Sequence, residues 1–332
     1  MERGCATFRA NLLRVRIFVT RALPINLRDL VPPSIDVAVS PHDRPLTADE
    51  IASLGADADG IVSMLSDPFD ETLLARLPRL KVVANYAVGH DNIAGAAART
   101  RGIVVTNTPD VLTEATADLA MTLVLAVARR VRESERLLRT GGYRGWSPTL
   151  LLGADLHGRT MGLFGFGRIG RAVAARARGF GMRIVYTSRT RAPREIEDAL
   201  GATAVTKDEL LRQSDVLSLH APMSEATRHT IDAAALAAMR PGAILINTAR
   251  GPLIDEAALA AALIAGRLRG AGLDVFENEP AVHPALLGRD DVVLLPHIGS
   301  ATAGTREAMA RIAIENCVAV LEGRPTRTPP VN

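Results

Sequence analysis

Between Thr160 and Ala177 an apolar pentapeptide, a glycine-spaced turn and a helical pattern follow one another without a break. No other stretch of the chain restricts its fold as strongly. Thr160-Met-Gly-Leu-Phe164 reads as a buried strand, Gly165-x-Gly167-x-x-Gly170 as the turn, and residues 172–177 continue with helical spacing. Isolated, this glycine spacing means little; set between a strand and a helix it marks a βαβ unit that cradles a pyrophosphate. Gly165 permits the tight turn, Gly167 lets backbone amides approach the anion, and Gly170 allows close helix–strand contact. The free N–H groups at the helix start, around Arg168 and Ile169, then face the negative charge.

The rest of the chain agrees with this unit. Short apolar runs at 15–20, 35–39, 60–65, 81–85 and 103–106 form one series. A second series runs 160–164, 183–187, 215–220, 243–248, 271–275 and 292–295. Most are continuously apolar rather than alternating, as strands buried on both faces of a parallel sheet must be. Helical patterns separate them, so the spacing predicts an α/β fold with two doubly wound, Rossmann-like parallel sheets and eleven strands. A single long helical stretch, 112–138, lies between the series. Its first half is apolar almost all round, which calls for burial on several sides. A glycine-rich loop follows at 140–153, and a last helix is predicted at 303–322.

The second strand of the nucleotide unit decides which dinucleotide fits. A carboxylate roughly 20 residues after the glycine turn usually grips the ribose 2′-hydroxyl of NAD. Here the segment reads Tyr186-Thr187-Ser188-Arg189-Thr190-Arg191, with hydroxyls and guanidiniums and no carboxylate. An arginine–phosphate contact is charge-assisted and worth about 1.5–3 kcal/mol. NADP(H) is therefore the preferred cofactor, with NAD(H) still accommodated.

Three further motifs each fall just after a strand of the second series: Asn247-Thr-Ala-Arg250-Gly251, Asp274-Val-Phe-Glu-Asn-Glu279-Pro280 and Pro296-His297-Ile-Gly299-Ser. Ligands of open α/β sheets bind beyond the carboxyl ends of the strands, so these side chains should share one crevice. Arg250 offers a planar fork for a carboxylate. His297 is a proton donor and acceptor suited to neutral pH, and Glu279 can fix its tautomer from the other ring nitrogen. Taken singly, each has a plainer reading: an exposed helix-start arginine, a loop acid, a strand-end core histidine. Taken together they support hydride transfer to a carbonyl carbon with a proton delivered to its oxygen.

With these residues in hand, the chain resembles the D-2-hydroxyacid dehydrogenases, most closely their glyoxylate/hydroxypyruvate reductase branch. The likeness runs from about Val15 to Asn332. It rests on Ala84-Asn-Tyr-Ala-Val-Gly89, Thr106-Asn-Thr-Pro-Asp110, the Gly165 loop with Ser188-Arg189-Thr190, and the three motifs above. The resemblance implies reduction of glyoxylate and hydroxypyruvate, with Arg250 binding substrate, Glu279 partnering His297, and His297 donating the proton. It implies amides of Val88 and Gly89 on the substrate carboxylate and Asp274 at the nicotinamide carboxamide. Pro222, Thr248, Ala249 and Gly299 would line the cofactor. It makes the substrate domain discontinuous, 1–108 plus 297–332, around a dinucleotide-binding domain at 109–296, with closure over the ligand. It further implies a homodimer built on the nucleotide domain, in which Trp146 can reach the partner's active site.

Composition sets the remaining bounds. Among 332 residues, 48% are hydrophobic and 23% charged, a globular balance that excludes a disordered or fibrous chain. A net charge of +3 argues against a nucleic-acid partner. The longest uncharged apolar run, 119–128, is about half a membrane span. Residues 1–14 carry arginines but no apolar core, so they read as an unstructured extension and not as a secretory signal. Cys5 and Cys317 have no metal-ligand neighbours, which fits a reducing, cytoplasmic setting and predicts no metal. His220, in Leu-His-Ala-Pro222, reads as lying behind the cofactor contacts; His90 is a loop residue near the carboxylate-binding amides. His42, His157, His229 and His283 read as surface residues. Two alternatives remain at this level: a dehydrogenase of another small anion (formate, phosphite or a larger 2-hydroxy acid), and a non-enzymatic dinucleotide-sensing protein.

Overall fold

A computed structural model describes residues 14–332; Cys5 and residues 1–13 of the N-terminal arm lie outside the described residues. The chain divides into two compact units. One runs to Pro109 and resumes at Arg306–Asn332; the other is Asp110–Thr305.

The discontinuous unit holds β1 (Val15–Val19), β2 (Ile35–Val39), β3 (Gly60–Ser63), β4 (Val82–Asn85) and β5 (Val104–Thr106). They form a parallel sheet in the order β2-β1-β3-β4-β5. β3 and β4 are buried along their whole length, which explains why their sequences do not alternate. Part of the final helix, Ala303–Leu321, belongs to this unit and brings in Cys317, whose thiol burial pushes well up. A Cβ on Gly60 would lie 2.6 Å from the Cys317 sulfur, so the small residue at the start of β3 is matched to this contact.

The second unit contains β6 (Thr160–Phe164), β7 (Arg183–Thr187), β8 (Ala202–Ala204), β9 (Val216–Leu219), β10 (Ala243–Asn247), β11 (Leu268–Leu273) and β12 (Val292–Leu294). All are parallel, in the order β12-β11-β10-β9-β6-β7-β8. The order reverses between β6 and β9, and such a switch point opens a crevice beyond the carboxyl ends of the strands. The Gly165 turn leaves β6 at that point.

Three features depart from the reading of the sequence. The described residues hold a twelfth strand, β8, a three-residue edge strand entered through Gly201 in the left-handed region. The stretch 112–138 is two helices, Thr113–Ala128 and Val131–Arg139, because Arg130 takes φ 54° and breaks the hydrogen-bond ladder. The second boundary between units falls after Thr305, not before His297. The Asp274 carboxylate accepts from Ile298 N at 2.7 Å and Gly299 N at 2.8 Å, tying that segment to the end of β11. The apolar half of 112–138 is buried as anticipated: Ala117, Ala120, Leu123, Val124 and Ala128 are inaccessible, packed against the helix Arg168–Gly179 and against β10 and β11.

Candidate active site

Gly165 sits at φ 98°, and a Cβ there would lie 2.6 Å from Ala221 N. A Cβ on Gly170 would lie 2.3 Å from Gly165 O. Both positions are therefore closed to side chains, the first by backbone conformation and crowding, the second by helix–strand approach. Gly167 differs: a Cβ there meets nothing within 4 Å, so its surface is open to an incoming group. It caps the helix Arg168–Gly179 without any side-chain hydrogen bond, leaving the first N–H groups available to an anion. Ile169 lies on that first turn. The Arg168 guanidinium, by contrast, is taken up by an ion pair with Asp110.

On β7, the phenol of buried Tyr186 stacks under Phe166 with ring centroids 3.9 Å apart. Its hydroxyl donates to Glu197 Oε1 at 2.5 Å. Arg191 holds the same carboxylate through two bonds, 2.9 and 2.8 Å, and these contacts with Tyr186 keep Glu197 down to about 2 against the opposing effect of burial. Arg191 and the nearest acid are thus occupied with each other. Ser188 Oγ donates to Thr190 O at 2.6 Å. Arg189 is exposed and has no partner among the described residues.

A row of residues follows the last paired positions of the central strands. Phe164 pairs with Leu219, Leu219 with Asn247, and Asn247 with Leu273. Gly165, His220, Thr248 and Asp274 come next on the four strands. His220 Nε2 bonds Ser218 Oγ at 2.9 Å, and burial lowers its pKa to about 3, so the ring is neutral. His220 Nδ1 and Thr248 Oγ1 are buried with no hydrogen-bond partner among the described residues. Orphaned polar atoms at a sheet edge, beside a glycine cradle left open at Gly167, fit a bound dinucleotide. Burial raises Asp274, with the Ile298 and Gly299 amides and His297 pulling the other way.

The three chemistry-bearing side chains come together at the same edge. His297 Nδ1 lies 2.9 Å from Glu279 Oε2, while Glu279 Oε1 accepts from Phe276 N at 3.0 Å. Burial alone would raise Glu279, but the hydrogen bond and charge of His297, Phe276 N and the charge of Arg250 outweigh it and hold the carboxyl below its usual range. With Nδ1 committed to the carboxylate, Nε2 is the ring nitrogen left for a reactant. His297 itself adopts φ 54°, and its N–H is bound by Asp274 O at 2.9 Å. Arg250 is placed by Asn247, whose Nδ2 donates to Arg250 O at 2.8 Å and whose Oδ1 accepts from Ala249 N at 3.0 Å. Gly251 follows because a Cβ there would lie 1.9 Å from the Phe276 carbonyl. Pro222 O caps the next turn, accepting from Thr227 Oγ1 at 2.9 Å.

In the discontinuous unit, Val88 and Gly89 lie in the loop after β4. Their carbonyls accept from Asn107 Nδ2 at 2.7 Å and Asn85 Nδ2 at 2.8 Å. Both asparagines stand in motifs quoted above without a role assigned to them: Asn107 meets Val88 only through the fold, whereas Asn85 reaches Gly89 four residues on. His229 corrects another reading: its Nε2 lies 2.6 Å from Glu277 Oε1, so it is a half-buried hydrogen-bond partner and not a bare surface residue. No group of three or more His, Cys, Asp or Glu able to hold a metal occurs among the described residues.

A parallel sheet with a pyrophosphate turn at its switch point, and an Arg, a Glu-backed His and an Asp at the neighbouring strand ends, defines a dinucleotide-dependent oxidoreductase. Residues 121–299 match the family model described as D-isomer specific 2-hydroxyacid dehydrogenase, NAD binding domain. A glyoxylate reductase of Thermococcus onnurineus is 46% identical over 315 residues, 94% of both chains. Among solved structures, the TT0316 protein from Thermus thermophilus superposes with a TM-score of 0.89 at 46% identity, covering 96% of this chain and 100% of that one. An NADPH-dependent glyoxylate/hydroxypyruvate reductase from Sinorhizobium meliloti, solved with NADP and malonate, gives 0.84 at 38% identity, covering 96% and 97%. The chain belongs to the D-isomer specific 2-hydroxyacid dehydrogenase family, whose members are NAD(P)-dependent enzymes.

Proposed function

We propose that the protein reduces small 2-oxo acids, glyoxylate to glycolate and hydroxypyruvate to D-glycerate, with NADPH preferred over NADH. The observation that carries this reading is the His297–Glu279 pair beyond the carboxyl end of the same sheet that carries the glycine turn. Its support from relatives is that several 44–47% identical proteins are glyoxylate reductases. The nicotinamide supplies the hydride. The chain supplies the rest: Arg250 holds the carboxylate and polarises the neighbouring carbonyl, and His297 Nε2 gives the proton to the carbonyl oxygen as the hydride reaches carbon. Glu279 accepts from Nδ1–H, so Nε2 carries a proton only in the charged imidazolium, the form the carboxylate favours before transfer.

The Gly165, Gly167 and Gly170 turn with Arg168 and Ile169 holds the pyrophosphate in this reading. Ser188, Arg189 and Thr190 meet the 2′-phosphate, Pro222, Thr248, Ala249 and Gly299 line the nicotinamide half, and Asp274 meets the carboxamide. Arg189, exposed and without a partner among the described residues, set against the engaged Arg191, is the support for NADPH. Amides of Val88 and Gly89 bind the substrate carboxylate. The domains of the proposal are a dinucleotide-binding body and a discontinuous substrate-binding one.

A homodimer is part of the same reading. Leu138, Trp146 and Leu152 are 62%, 82% and 61% exposed on and after the helix Val131–Arg139, an apolar surface suited to a second copy of the chain. Trp146 would then reach the partner's site. No helix among the described residues is long and apolar enough to cross a membrane, and a cytoplasmic setting completes the reading. Oxidation of NADPH and NADH measured against a panel of 2-oxo acids, with formate and phosphite tested in the NAD(P)-reducing direction, is the test. Turnover of glyoxylate or hydroxypyruvate supports it. Tight dinucleotide binding with no turnover would instead mark a dinucleotide sensor.

A further inference from the structure

The loop after β4 is held by its carbonyl oxygens. Ala87 O accepts from Thr108 N at 2.9 Å, Val88 O from Asn107 Nδ2 at 2.7 Å, and Gly89 O from Asn85 Nδ2 at 2.8 Å. In a planar trans peptide the C=O of one residue and the N–H of the next point in opposite directions. Fixing the first two oxygens therefore fixes the N–H groups of Val88 and Gly89 and turns them away from residues 107 and 108. Neither N–H has an acceptor among the described residues. The result is a pair of oriented, unspent backbone donors, the arrangement by which backbone binds an anion.

Asn107 is itself immobilised. Its carbonyl accepts from Thr328 Oγ1 at 3.0 Å and Asn316 Nδ2 at 3.5 Å. Asn316, wholly buried on an otherwise apolar face of the helix Ala303–Leu321, also donates to Thr328 Oγ1 at 2.7 Å and accepts from Arg327 N at 2.8 Å. A buried amide among Ile312, Ala313, Cys317 and Val318 is costly unless all its hydrogen bonds are made. Here they are made, and the chain of contacts ends on Val88 O.

We infer that Asn107, backed by Asn316 and Thr328, is a positioning residue for substrate: it aims the Gly89 N–H at the substrate carboxylate without touching the substrate itself. This rests on the proposed role of the Val88 and Gly89 amides. Replacing Asn107 by Ala frees Val88 O, lets the following peptide plane turn, and weakens carboxylate binding without altering the hydride or the proton donor.

The test compares Asn107→Ala with the parent enzyme for glyoxylate KM and kcat, for inhibition by oxalate, and for NADPH Kd by fluorescence. A KM and an oxalate inhibition constant that both rise about tenfold, the factor one ordinary net hydrogen bond can supply, with kcat and NADPH Kd within about twofold, support the inference. An unchanged KM overturns it, and so does a fall in NADPH affinity, which would mark general damage. Should Asn107→Ala fail to fold, the parent protein still decides: its Val88 and Gly89 amide resonances must shift on adding oxalate, and their indifference overturns the inference. A parent enzyme that turns over no 2-oxo acid removes the proposed function first, before any variant is measured.

Discussion

Two arginines follow β7, and the structure assigns them opposite fates, which makes cofactor choice a sharp test. Arg191 makes two bonds to Glu197, and Glu197 in turn receives the buried Tyr186 hydroxyl. Arg189 is exposed and unpartnered among the described residues. A charge-assisted bond to phosphate is worth about 1.5–3 kcal/mol, and solvent screening at an exposed site reduces that to about 1–2 kcal/mol. Arg189→Ala should therefore lower kcat/KM for NADPH by about five- to thirtyfold and leave NADH nearly unchanged. Arg191→Ala should do the reverse: it strips Glu197 of its main partner, so thermal stability falls while the NADPH/NADH ratio moves little. The assay is kcat/KM for both nucleotides at saturating glyoxylate, alongside thermal unfolding. If Arg189→Ala leaves the nucleotide ratio where it was, or if Arg191→Ala shifts it more, the assignment of the 2′-phosphate site to Arg189 is wrong.

Glu279→Gln should reduce kcat by about tenfold or more, since a charge-assisted bond orienting His297 is lost while dinucleotide affinity stays. Because Glu279 is held below its ordinary range in the folded protein, its ionised form adds stability above about pH 4.3, lost as pH falls through the lower folded value; unfolding curves of parent and Glu279→Gln should differ near neutrality and converge in acid. Gly165→Ala should destabilise the apoprotein through its positive φ and its 2.6 Å approach to Ala221 N, whereas Gly167→Ala should fold normally and lose dinucleotide affinity. Calorimetry of both apoproteins with NADPH titrations separates the two effects. Trp146→Ala combined with Leu138→Lys should shift sedimentation toward monomer if that exposed surface pairs two chains.

The parts of the fold legible in the sequence are those written locally. Continuous apolar runs gave eleven strands, and the strand–turn–helix order around Gly165 gave the glycine turn at the switch point of the sheet, because each signal lies within about twenty consecutive residues. The ends of β10, β11 and β12 were legible for a related reason: strand-end motifs in a parallel sheet must share one edge. The three-residue β8 is too short to carry a pattern. The break at Arg130 was hidden because a non-glycine residue in the left-handed region has no sequence mark. Glu277, which engages His229, and the Asn107–Asn316–Thr328 network depend on partners that chain order does not bring together.

The central claim is that His297, oriented by Glu279, delivers the proton that completes reduction. Its most direct test is His297→Asn, assayed for glyoxylate reduction and, separately, for NADPH binding. A general acid contributes about 10²–10⁴-fold, so kcat should fall by that much with the nucleotide Kd unchanged. A variant that reduces glyoxylate at the parent rate would contradict the account.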